Sequence, residues 1–212
     1  MELASWKSEL RPLVAVTIAL IIITAVLYPL AVTGIGQAAF NRQANGSLIK
    51  VDGNDVGSSL IGQQFTGDQY FQGRPSAAGT GYDASNSSGS NLAPTSDKLI
   101  NGIHDPADPS TSFDGLKDRA TAFRQANGVD AGVLLPSDAV TASASGLDPH
   151  ISPATAKLEV SRVAKARGAS AAAIQQLVDQ YTERPALGFV GQSRVNVLKL
   201  NIALDAQFPV SK

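Results

Sequence analysis

Asp148-Pro149-His150-Ile151-Ser152, with Ser143 and Ser145 just upstream, crowds a carboxylate, an imidazole and three hydroxyls into a short stretch of this 212-residue chain. That set invites acyl transfer by a serine, because a base must hydrogen-bond the hydroxyl and a carboxylate must orient the base. The Gly-x-Ser-x-Gly elbow that presents such a nucleophile is absent, as are the Lys-Thr-Gly and Ser-Asp-Asn strings of penicillin-recognising hydrolases. The plainer use of Asp148 and His150 is to shape the turn before a helix capped by Ser152. Other chemistries fare worse. No Walker loop occurs, and Gly79-Thr80-Gly81-Tyr82-Asp83-Ala84 matches a dinucleotide fingerprint only superficially, lying between Gly/Pro/Ser-rich strings rather than between a strand and a helix. His104 and His150 are the only histidines and there is no Cys, which excludes a His-rich zinc site, a thiolate site and a disulfide framework. Asp52-Gly53-Asn54-Asp55 lacks the spacing and terminal Glu of a calcium loop and reads as a turn. No catalytic residue and no metal ligand is expected.

The elements that carry these residues follow from patterning. The chain has 17 Lys plus Arg against 18 Asp plus Glu, a net charge of -1, which argues against a polyanion such as nucleic acid as partner. From Pro12 to Asn41 there is no charged residue and no His, and Leu13 to Val32 is almost wholly apolar. At about 1.5 Å per residue such a run spans the roughly 30 Å of bilayer hydrocarbon, so a transmembrane helix is expected over 13–33. Trp6 and Tyr28 are spaced as two interfacial anchors. A cleaved signal peptide ending near Gly36-Gln37-Ala38 is disfavoured, because its apolar stretch would be about 7 to 15 residues. Lys7 and Arg11 precede the helix while Arg42 and Lys50 follow it, and the positive-inside rule then places residues 1–12 in the cytoplasm and 34–212 outside. Thr17, Thr24, Pro29, Gly34 and Gly36 give the helix small or loosening positions suited to a neighbouring helix.

Beyond the anchor, 47–51 and 56–61 are β-prone runs around the Asp52–Asp55 turn and read as a hairpin. Asp114 is expected to cap a helix with Leu116, Ala120 and Phe123 on one face and Gly128 as its stop. Ser152-Pro153 starts a helix that ends at Gly168, and Ser170 caps another bearing Ile174, Leu177, Val178 and Tyr181, with Pro185 beyond it. The run 195–204 fits a strand and a helix equally well. Residues 72–112 are dense in Gly, Ser, Asn and Pro, and a loop that long is usually functional or mobile. Eleven Asp against five Lys or Arg make 51–138 acidic, whereas 139–212 is mildly basic. The fold class expected is α+β: one N-terminal transmembrane helix followed by a single mixed α/β extracytoplasmic domain.

Four strings in order are more specific: Tyr70-Phe71-Gln72-Gly73-Arg74-Pro75-Ser76-Ala77, Ser87-Ser88-Gly89-Ser90-Asn91-Leu92, Val140 through Ser152, and Leu187-Gly188-Phe189-Val190-Gly191 with Val195-Asn196-Val197-Leu198. Over nearly its full length the chain resembles the C chain of the bacterial potassium-transporting P-type ATPase of the Kdp system. Ala144 and Gln192-Ser193 depart from that family's usual residues. The resemblance implies a non-catalytic accessory subunit in the bacterial inner membrane. Its implied partners are a channel-like potassium-binding chain, an ATP-hydrolysing P-type chain and a small additional membrane peptide. It further implies help in assembly and a catalytic-chaperone role, with ATP held in a ternary complex that raises the pump's apparent ATP affinity. The residues themselves offer no ATP pocket, and a domain outside the membrane would stand across it from the nucleotide. The alternative is a membrane-anchored periplasmic serine hydrolase using His150. Because long polar loops more often carry function than idle, Tyr70, Phe71 and Arg74 are expected to form a partner-docking surface.

Overall fold

The computed structural model describes residues 6–108 and 111–210, and these divide into two compact units, one up to Leu48 and one from Ile49 onward. The first unit is helical. Helix α1 (Trp6–Ile21) passes without a break through a wider π-type turn at Ile22–Leu27 into α2 (Tyr28–Ala39), and Phe40, with φ -135°, ends it before the short α3 (Asn41–Ala44). Pro29 accounts for the π turn: it has no N–H to give the carbonyl four residues back, and its ring would strike that carbonyl. Widening the ladder redirects the bonding, so Tyr28 N–H donates to the Ile23 carbonyl, and Thr24 Oγ1 donates to the Leu20 carbonyl at 2.7 Å. Ser8–Ala39 forms a helix of 32 residues, long and apolar enough to cross a membrane and without a buried residue in its apolar window. Helix therefore continues beyond the expected 33, because Thr33 to Ala39 contain nothing that forbids it. The side chain of Trp6 and residues 1–5 lie outside the described residues, so only Tyr28 of the expected anchor pair is seen.

The second unit is α+β. Strands β1 (Leu48–Val51) and β2 (Asn54–Ser58) pair as a hairpin, as expected, but the second strand takes in Asn54 and Asp55 from the expected turn and ends at Ser58 instead of 61. Their turn is Asp52-Gly53 with φ of 50° and 83°, the doubly positive geometry that matches the right-handed twist of the strands. A long irregular path follows, interrupted by α4 (Asp97–Asn101) and then α5 (Leu116–Asn127). The N-cap of α5 is Gly115, not Asp114. Asp118 reaches back to accept from Gly115 N–H at 2.8 Å, so a carboxylate in the first turn performs the capping expected of the residue before it. Gly128 stops the helix in left-handed geometry, as expected.

Strand β3 (His150–Ile151) leads into α6 (Pro153–Arg167) and α7 (Ala171–Gln180), capped by Ser152 and Ser170, each accepting from the backbone three residues on. The ambiguous run 195–204 resolves into both states in series. It joins β5 (Arg194–Asn196) to α8 (Val197–Gln207), with the Asn196 side chain capping the helix through Lys199 N–H. With β4 (Thr182–Glu183) these strands make an antiparallel sheet ordered β3-β5-β4, in register at Ile151–Val195 and Thr182–Val195. The core lies between this small sheet and the three helices: Ile151, Val160, Val163, Ile174, Leu177, Val178, Val195, Leu200 and Leu204 are buried together with Phe71. Burying such side chains contributes about 1.5–3 kcal/mol each, enough to hold two- and three-residue strands that could not persist alone.

Candidate functional site

Segment 68–82 has little regular structure, so side chains from the helices satisfy its backbone. Asn201 on α8 accepts from Phe71 N–H and donates to Phe71 C=O, both at 2.9 Å, pairing with that residue as a strand would. On α6, Arg162 donates to the carbonyls of Asp68 and Tyr70 at 2.7 and 2.9 Å and to Asn127 Oδ1, and pairs with Glu159. Arg167 donates to the Gln69 carbonyl at 2.7 Å and pairs with Asp205 at 2.8 Å, its guanidinium lying 5.0 Å from the centre of the Tyr70 ring. Burial pushes the Glu159 carboxyl up to about 7 against the lowering effect of Arg162 and of Gln72 N–H.

Three of the four distinctive strings meet on this scaffold. Arg74 pairs with Asp148 at 3.2 Å and donates to Thr141 and to the Ala142 carbonyl. Ser76 Oγ donates to the Gly146 carbonyl at 2.6 Å and accepts from Tyr82 N–H, while Tyr82 Oη donates to the Arg74 carbonyl. Burial pushes the Tyr82 phenol up to about 12, so it remains a donor. Ser87 Oγ donates to the Ser145 carbonyl at 2.9 Å. Gly146 holds φ at 68°, and a Cβ there would come within 2.5 Å of the Ser88 carbonyl oxygen and 2.7 Å of Ala78 N, so only glycine lets the three strings close.

The fourth string behaves differently. Ala186 and Val190 exchange two hydrogen bonds of 2.9 Å, throwing Leu187-Gly188-Phe189 outward as a tight turn. Leu187 is 85% exposed and Phe189 78%, and Leu187 sits at φ 54°, a left-handed conformation that costs a branched apolar residue about 1–2 kcal/mol. Nothing in folding rewards an exposed leucine there; strain of this kind collects where a surface is used. Beneath it, Glu183 is held by Arg194 and Lys199 at 3.1 and 3.0 Å.

The expected docking trio is therefore split. Phe71 is wholly buried in the core and has no surface to offer a partner, Arg74 is half-buried and committed to Asp148 and the 141–142 backbone, and Tyr70 is half-buried, its hydroxyl donating to Asp205 at 3.2 Å. Phe71, expected as part of a docking surface, is instead a core residue. The exposed turn was legible only as a string, since alternation cannot tell an apolar hairpin tip from a strand.

The serine constellation does not assemble either. His150 Nδ1 lies 3.3 Å from Asp148 Oδ1, but the imidazole meets no serine hydroxyl among the described residues, while Ser143 and Ser145 face each other at 3.4 Å. Desolvation raises the Asp148 carboxyl, yet His150 and Arg74 outweigh it and hold the group below the usual carboxylate range. It thus fastens two loops. Donor atoms of His104, Asp114 and Asp118 lie within 4.8 Å of one another, but Asp118 is spent on the Gly115 cap and on His104 at 3.0 Å.

The family model for the K+-transporting ATPase, c chain, matches residues 10–206. A potassium-transporting ATPase KdpC subunit of Mycobacterium tuberculosis (strain H37Rv) is 47% identical over 199 residues, covering 94% of this chain and 98% of that one. That of Caulobacter vibrioides (strain NA1000) is 51% identical over 203 residues, 95% of each chain. The match takes in the apolar helix, the loop knot, the exposed turn and the α6–α8 core alike, and the chain belongs to the KdpC family of K+-transporting ATPase c chains.

Proposed function

We propose that this chain is a non-catalytic accessory subunit that docks its outer domain on the channel-like potassium-binding chain through the Leu187-Gly188-Phe189 turn, so stabilising the assembled pump. The observation that supports it most is a strained, fully presented apolar turn on a chain whose relatives are named as subunits of a potassium-transporting ATPase. Burying Leu187 and Phe189 in an apolar pocket of that partner would recover free energy that folding leaves unused. Tyr70, Phe71 and Arg74 serve the interface indirectly, by fixing the loops around it. In this reading the anchor runs with its N-terminus inside the cell and the α/β domain in the periplasm, and the α1–α2 helix meets the other membrane chains along Thr17, Gly34 and Gly36.

The raised apparent ATP affinity belongs to the same proposal, as an effect carried through the assembled complex to the ATP-hydrolysing chain. No phosphate-cradling loop lies among the described residues, and a periplasmic domain would not meet cytoplasmic ATP. The test is a reconstituted complex with and without this chain. The proposal expects a higher apparent KM for ATP in its absence and restoration on adding it back. An unchanged KM would remove the chaperone element, and ATP binding by this chain alone would replace indirect coupling with direct contact.

A further inference from the structure

The apolar helix carries a backbone group that its own ladder does not satisfy. Tyr28 N–H donates to the Ile23 carbonyl, and Pro29 has no N–H to give. The next donor, Leu30 N–H, reaches four or five residues back, to Val26 or Ala25, so no helical donor meets the Thr24 carbonyl. The Thr24 side chain does not repair this, because its hydroxyl donates upstream to the Leu20 carbonyl at 2.7 Å. Thr24 lies eight residues before Val32, about 12 Å along the axis from the end of the apolar run. The helix is unburied there, and nothing else among the described residues covers the group. In hydrocarbon a carbonyl without a donor is costly, because no water is at hand to bond it.

We propose that the Thr24 carbonyl is the docking point for a neutral hydrogen-bond donor, a hydroxyl or a carboxamide, carried by a transmembrane helix of a partner subunit of the pump. The inference rests on the accessory-subunit reading and names the chemistry of its partner inside the membrane. Lipid tails have no donor to offer, so the occupant is protein. A second copy of this chain fits poorly, because two copies side by side set Thr24 against Thr24, where the hydroxyl hydrogen is already given to Leu20. A lysine or arginine fits poorly too: from Pro12 to Asn41 this chain holds no carboxylate to offset a positive charge at that depth. A neutral donor satisfies the carbonyl without bringing a charge into the hydrocarbon, and such side chains are what hold membrane helices together across their interfaces. On this view Pro29 does more than bend the helix. It withholds one N–H, and the open acceptor that results fixes the depth at which the partner helix must present its donor.

The experiment places an isotope-labelled carbonyl at Thr24 of the full chain and compares its infrared band in the isolated chain, one copy per lipid nanodisc, with that in the assembled pump. The carbonyl should absorb as an unbonded group in the isolated chain and move to lower wavenumber in the pump. Pro29→Ala supplies the missing N–H and lets the ladder close, so its labelled carbonyl should absorb as bonded in both samples, which a change of kink alone would not produce. Co-expressed with an equal amount of wild-type chain, the Pro29→Ala chain should be under-represented in the purified pump by about three- to thirtyfold, the range of an interhelical hydrogen bond. A band at the same position in both wild-type samples, a shift produced by loading two copies of the chain into one disc, or equal incorporation of the Pro29→Ala chain would each overturn the proposal and leave the accessory-subunit reading standing. Failure of the wild-type chain to enter the pump would overturn both.

Discussion

The side chains that resemble chemistry in this protein do the work of backbone partners. Asp148, Arg74, Glu159, Arg162, Arg167 and Asn201 occupy hydrogen bonds that a sheet would otherwise supply, and the irregular 68–82 path depends on them. Asn201→Ala leaves both backbone groups of the buried Phe71 without partners and should lower stability by about 2–4 kcal/mol in chemical denaturation. Two carboxyls set opposite pH limbs. Asp148 is held below its ordinary value of 3.8, so its contribution is present above that value and is lost as pH falls through the folded one. Glu159 is raised from 4.5 to about 7, so the folded chain keeps its proton longer and stability declines as pH rises between those values, then levels. Urea midpoints against pH should show both limbs. Glu159→Gln should flatten the neutral limb and leave the acid limb in place.

At the scale of elements, the caps carry more than the propensities. Ser152→Ala removes the acceptor for Thr155 N–H and should cost about 1 kcal/mol, while Gly146→Ala should cost considerably more, since both its φ and its surroundings reject a Cβ. Helices α6 and α7 were legible in the sequence because cap and stop agree there, and the N-terminal helix because its uncharged apolar run is long enough to cross a bilayer. The β1–β2 hairpin was legible from its Asp-Gly turn. Less was readable where a contact far along the chain decides the outcome. Val195 is strand only because it sits between Ile151 and Thr182, and helix begins two residues later because Asn196 caps it. Arg74 and Tyr70 looked like surface residues because their partners, Asp148 and Arg167, lie far away in sequence. The exposed turn drew attention as a string, yet its outward presentation goes with a positive φ at Leu187, which no pattern of side chains announces.

For the whole molecule, an inside N-terminus means that protease added outside intact spheroplasts should digest the chain beyond Arg42, and protection of that region would reverse the topology. In the proposed docking, the turn at 187–189 separates folding from function. Leu187→Asn relieves left-handed strain, because asparagine tolerates that conformation, and should leave the thermal midpoint of the isolated full chain unchanged or higher. Combined with Phe189→Ser it removes the two most exposed apolar side chains of the turn, a loss of the order of 2 kcal/mol or more for an interface anchor, or about thirtyfold in affinity. The most direct measurement is the subunit composition of the potassium-transporting complex purified in mild detergent from cells carrying this double variant in the full chain. The account expects the variant to fold and reach the membrane, yet to be depleted from the purified complex, with potassium uptake falling in parallel. A variant that is retained stoichiometrically and supports normal uptake would contradict it.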